Sequence, residues 1–162
     1  GLVGSEMCIR DRLIAAGAPM ASGLRGGAFL LIGPTAGYLW SFPAAAFIMG
    51  ALSAGARSAG FRLTPRSFAK LWAASAIAVA PVYALGFAVL WEWASLSPVV
   101  MGYSKAACSF LGLPTGDPAF VVFVASVAIF LPQDLLFDHP LAVFAGSYLI
   151  EALRARGLAY GG

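Results

Sequence analysis

The stretch Gly33-Pro34-Thr35-Ala36-Gly37-Tyr38-Leu39-Trp40-Ser41-Phe42 sets turn-forming and polar residues inside an apolar run. Arg25 and Arg57 are separated by 31 residues without a charged side chain, and about 20 apolar residues suffice for a helix to cross a bilayer. Backbone polar groups in lipid must be satisfied internally, so a proline and two glycines at membrane depth need a neighbouring helix or a cavity to accept the irregularity. The stretch therefore predicts a membrane helix disturbed near Pro34. Two readings of it are open. Gly33 and Gly37 are four apart, which in a helix makes one small-residue face for packing against a neighbour. Alternatively the disturbed backbone lines a substrate site, as broken helices at membrane depth often do.

The rest of the chain fits a membrane setting. It is 60% hydrophobic and 10% charged, with a mean hydropathy of +0.86, whereas soluble domains carry about 25% charged residues. Residues 71–91 form a second uncharged run, bounded by Lys70 and Glu92, that is long enough to span alone. A third apolar region, 118–152, contains Asp134, Asp138, His139 and Pro140, so it reads either as one span with an irregular start or as two short ones. The prediction is an all-α, polytopic helical bundle with three to four spans.

Charge placement orients the bundle. Arg57, Arg62, Arg66 and Lys70 crowd the loop after the first run, whereas the loop 92–117 holds only Lys105 as a cation. Lys and Arg near spans stay cytoplasmic, so the first loop is expected inside, together with Arg154 and Arg156. One net crossing after Asp117 satisfies this, which favours three spans and leaves 98–131 as an outer-face or partly buried segment. The net charge of +3 implies no nucleic-acid partner. Cys8 and Cys108 are too few and too far apart for a disulfide framework or a thiolate metal site, and Cys108 is expected to be a small packing residue. Trp72, Trp91 and Trp93 flank the second span as interfacial anchors, while Trp40 serves packing or ligand stacking.

Residues 1–12, Gly-Leu-Val-Gly-Ser-Glu-Met-Cys-Ile-Arg-Asp-Arg, have neither the long apolar core nor the cleavage site of a signal peptide. They read as translated sequencing adaptor, which makes 13–162 the C-terminal part of a longer membrane domain whose earlier spans are missing.

The second constellation is Phe130-Leu131-Pro132-Gln133-Asp134-Leu135-Leu136-Phe137, followed by Asp138 and His139. An ionisable residue inside an apolar segment is costly and is a functional candidate by default. Asp134, just after Pro132, is also placed to cap the last helix, and a cap at an outer helix end can still face a cavity. Nothing here has metal-ligand spacing, a serine nucleophile elbow or a phosphate-binding glycine loop. No cofactor is expected.

Taken together, the segments 33–42 and 130–136 resemble the BioY family, the biotin-binding membrane components of energy-coupling factor transporters. The family motifs read Gly-Pro-Thr-Gly-Gly-Tyr-Leu and Phe-Leu-Pro-Gly-Asp-Leu-Leu-Lys, in the order found here, and Leu13-Ile14-Ala15-Ala16-Gly17-Ala18-Pro19 is similar to the end of the preceding span. The resemblance implies a six-helix fold of which this chain keeps roughly the second half, in a bacterial cell membrane. It implies a pocket opening to the outer face, with Gly33, Thr35, Gly37, Tyr38 and Asp134 at the matching positions. Partners would be biotin or a related small-molecule vitamin, surrounding lipid, a transmembrane coupling subunit and separate ATPase subunits. Chemically, a carboxylate suits the N–H groups of a ureido ring, since charge-assisted hydrogen bonds are the stronger kind. Ala36, Ser41 and Gln133 stand where the family has glycine, and Phe137 stands where it has lysine. Residues 98–116 have no clear counterpart and read as an outer-side insertion placed to cover the pocket. Two other classes compete with this reading: a non-catalytic membrane assembly protein, and an intramembrane enzyme using Asp134, Asp138 and His139.

Overall fold

A computed structural model describes residues 27–54 and 64–156. The expectations for residues 1–12, for 13–19 and for Arg57 and Arg62 lie outside the described residues. The described residues form helices and turns with no strand, arranged as an all-α membrane bundle.

A short 3-10 turn, Ala28–Leu31, leads into α1, Ala36–Leu52. At 17 residues, about 26 Å, α1 sits at the short end of what crosses a bilayer. The second crossing runs from Pro65 to Leu96 as a 32-residue apolar helix in two parts, α2 (Pro65–Ala78) and α3 (Ala80–Leu96). Pro65 begins it at a position where the missing N–H costs nothing. Thr64 and Ser67 close its start reciprocally: Thr64 Oγ1 accepts from the Ser67 N–H at 3.2 Å and Ser67 Oγ from the Thr64 N–H at 2.7 Å. Pro81 supplies no N–H for the turn before it, and the helix is interrupted at Val79.

After α3, Pro98 starts α4, Pro98–Phe110. It ends at Gly112, whose φ of 68° is the left-handed conformation that glycine adopts at helix ends. The Asp117 carboxylate then accepts from the Ala119 N–H at 2.9 Å and opens the final helix. That helix is continuous from Pro118 to Leu153, 36 residues, so the third apolar region is one helix and not two. It comprises α5 (Pro118–Phe123), a π segment (Val124–Ala128), one turn of α6 (Leu131–Gln133), a second π segment (Asp134–Asp138) and α7 (His139–Ala155).

The final helix packs antiparallel to α2–α3. Ser75 meets His139, Tyr83 meets Asp134, and Leu90 and Ala94 pack on Val122. This places Arg66 and Lys70 at the same end of the bundle as Arg156, the arrangement that one net crossing after Asp117 requires. The segment 98–110 is a helix laid against α3 and the first half of the final helix. Its Cys108 is fully buried with Val121 and Val124, a packing role as expected. Phe47, Phe110, Phe144 and Leu149 are exposed, an apolar exterior suited to lipid.

The closest helix contact joins α1 to α3. A Cβ placed on Gly37 would collide with the Leu85 carbonyl, lying 2.7 Å from its carbon, and a Cβ on Gly86 would collide with the ring of Tyr38. Each helix thus offers a glycine to the other's bulk. Gly33 lies outside α1, in the turn before it, so the expected Gly33/Gly37 helical face does not form; Gly37 alone serves the packing. Gly37→Ala is expected to lower stability by about 1–3 kcal/mol through overpacking, read as an earlier thermal unfolding transition in detergent, with Gly50→Ala, which meets open space, as the unaffected control.

Candidate functional site

The first motif divides at Thr35. Before it, Gly33 is buried where a Cβ would lie 2.9 Å from the Phe29 carbonyl oxygen and 3.2 Å from the Phe29 ring, so the turn closes only around glycine. Pro34 falls in the turn, where its missing N–H breaks no helix. Thr35 is the N-cap of α1, yet its side chain makes no capping bond and is exposed. After it, Ala36 and Ser41 are buried in α1, and the Ser41 hydroxyl donates to the Tyr38 carbonyl at 2.7 Å. Trp40, for which packing and ligand stacking were both open, is 56% exposed.

Tyr38 reaches across the bundle. Its ring lies over Gly86 and its hydroxyl donates to the Ser126 carbonyl at 2.7 Å. The helix around that acceptor is irregular. A proline cannot donate to the carbonyl four residues earlier, and the helix before it relaxes into a π segment. The Ile129 N–H bonds Val124, five residues back, and the Phe130 N–H bonds Val127, so Ser126 is left for the tyrosine.

The second π segment repeats the device. The His139 N–H reaches back five residues to the Asp134 carbonyl, and Pro140 has no N–H, so the Leu135 carbonyl loses both intrahelical donors. The Trp72 indole N–H takes it at 2.8 Å. Trp72 is therefore engaged inside the bundle, beyond the interfacial anchoring expected of it. Trp93 likewise packs edge-to-face on Phe29, and Trp91 stacks beside Phe87.

Asp134 is not a helix cap. Its φ of −56° and ψ of −52° are helical, and it sits near the middle of the 36-residue helix. The prolines that suggested a helix start are absorbed by the π segments instead. Freed from capping, the Asp134 carboxylate accepts a hydrogen bond from the hydroxyl of Tyr83 on α3. Tyr83 lies three residues before Gly86, the position covered by the Tyr38 ring, so both motifs make contact with α3. About two turns from Tyr83 along the same run, Ser75 Oγ donates to the Trp72 carbonyl at 2.7 Å and lies 2.9 Å from His139 Nδ1. With its one proton on the carbonyl, Ser75 accepts from an Nδ1–H. Phe137 is 69% exposed and adds no polar group. Among the described residues no three His, Cys, Asp or Glu side chains gather to hold a metal.

Of the candidate residues, the structure packs Tyr38 over Gly86 and bonds Asp134 to Tyr83, both on α3, uses Gly37 for helix contact, and keeps Gly33 and Thr35 at the turn leading into α1. Tyr83, Ser75, Gly86 and Ser126 were not read from sequence. A signal was available: Trp72, Ser75, Tyr83 and Gly86 are spaced by 3, 8 and 3 residues, one helical face carrying polar and small side chains through an uncharged span.

The described residues define an all-α membrane bundle that holds a carboxylate, tyrosines and glycines between its helices. The family comparison makes this specific: the sequence model of the BioY family matches residues 12–145, and the chain belongs to that family. BioY proteins are substrate-binding components of vitamin transporters and not an enzyme family. No curated protein and no solved structure matches the chain.

The Trp72 contact is open to direct measurement. Trp72→Phe leaves the Leu135 carbonyl without a donor and is expected to cost about 0.6–1.7 kcal/mol, the range for an interhelical hydrogen bond in a membrane protein. Thermal unfolding of the detergent-solubilised protein would show it.

Proposed function

We propose that this protein captures biotin, or a closely related vitamin carrying N–H donors, at the outer face of a bacterial cell membrane as the multi-pass substrate-binding subunit of an uptake transporter. The observation that carries the reading is Asp134: a carboxylate in the middle of an apolar helix, bound to Tyr83 from the neighbouring span. Such a group is expensive unless it has work to do. Its remaining lone pairs suit the N–H donors of a ureido ring, and Tyr38 and Tyr83 add aromatic walls. Gly33, Thr35 and Gly37 shape the turn and helix start that would form the opposite wall.

Energy for transport would come from partners, namely a transmembrane coupling subunit and separate ATPase subunits. In this reading residues 13–162 are the C-terminal part of the family's membrane domain and 1–12 are foreign to it. The contact of Gly37 with Leu85 supports a packing role for that glycine, so the motif's glycines and its tyrosine would divide the labour between assembly and recognition.

Asp134→Ala in the full-length natural protein is expected to abolish high-affinity biotin uptake while expression in the membrane persists; normal uptake would remove Asp134 from the pocket. Phe137→Lys restores the cation that the family motif carries three residues after the aspartate, where it would meet a ligand carboxylate. Equal or tighter binding of radiolabelled biotin is the expected result, and a clear loss would mean that the ligand's acidic tail lies elsewhere.

A further inference from the structure

Tyr83 is 8% exposed in the second crossing, and its hydroxyl is directed at the Asp134 carboxylate. A tyrosine O–H has one proton to give. With that proton given to Asp134 Oδ2, the carboxylate is fixed in rotation and its other lone pairs are left as acceptors of defined direction. A carboxylate on an apolar helix without such a partner would turn freely about its last two torsions, and a ligand would have to order it on binding.

The placement of Tyr83 is itself over-determined. It lies three residues before Gly86, the position that admits the Tyr38 ring, and four after Val79, where the helix is interrupted by Pro81. On the other side, Asp134 opens the π segment that Trp72 ties to α2 through the Leu135 carbonyl. Both ends of the Tyr83–Asp134 bond are therefore held by independent interactions of their own helices.

From this we infer that Tyr83 is a positioning residue for substrate recognition, acting through Asp134 by holding its carboxylate in the orientation that receives the ligand's N–H donors. The inference rests on the reading of Asp134 as a ligand-binding residue. It adds a second residue, from a different helix and from neither sequence motif, to the determinants of affinity.

The test is a double-mutant cycle on the full-length protein in lipid nanodiscs, titrated with biotin. Tyr83→Phe is expected to weaken binding roughly tenfold to a hundredfold, the loss of a hydrogen bond to a charged group, and to change affinity by less than about twofold when Asp134→Asn is already present. The carboxylate band in the ligand-induced infrared difference spectrum, assigned by its loss in Asp134→Asn, should move in Tyr83→Phe. A purely structural tyrosine would weaken binding equally in both backgrounds and leave the band in place, which would overturn the inference, as would unchanged affinity in Tyr83→Phe. Should Tyr83→Phe fail to fold, 3-fluorotyrosine at the same position keeps the shape and strengthens the donor; an unmoved band and unchanged affinity there would overturn it equally. Loss of binding in Asp134→Asn with none in Tyr83→Phe would reject Tyr83 and keep the transporter reading, whereas wild-type binding in Asp134→Asn would reject both.

Discussion

The bundle depends on the close approach of α1 and α3, where Gly37 and Tyr38 face Leu85 and Gly86. Lipid tails are as apolar as leucine, so helices in a membrane gain little from hiding apolar surface and associate through shape and polar contact. Two glycines, one on each helix, let the backbone of α3 meet α1 and let the Tyr38 ring cross over α3. Once the ring is there its hydroxyl reaches the final helix at Ser126, and three helices are tied at one level. A methyl group at either glycine would push the helices apart and take the tyrosine from its acceptor.

The prolines of the final helix are the complement of this contact. Pro132 and Pro140 each cost the helix a hydrogen bond, and each is preceded by a π segment that leaves a carbonyl without an intrahelical partner. Tyr38 fills one vacancy and Trp72 the other. The irregularities so become attachment points, which is how disturbed backbone is tolerated away from water. The second π segment also carries Asp134, which places the one carboxylate of the candidate site on a rigidly held turn beside Tyr83.

Much of this was legible in the residues. The uncharged runs fixed the membrane setting and the motifs at 33–42 and 130–136 pointed to the BioY family, whereas Pro34, read as disturbing a membrane helix, falls in the turn before α1. The reading of Asp134 as a helix cap failed because proline was taken to end a helix, whereas a long helix under tertiary restraint absorbs it as a π segment. The face shared by Gly33 and Gly37 failed for a related reason, since the helix starts after Thr35. Tyr83 and Gly86 escaped notice because a tyrosine and a glycine in an otherwise uniform apolar span carry no local signal of what they will meet.

The sequence by itself determined the membrane setting, the family and the chemistry present, because apolar run length and residue type are properties of the chain alone. Only the tertiary structure decided which of those groups meet. Tyr38 and Asp134 are 96 residues apart, and both meet α3, Tyr38 at Gly86 and Asp134 at Tyr83, because the glycine contact brings α1 and α3 together. Such pairings depend on distances between helices, which no periodicity within one helix encodes.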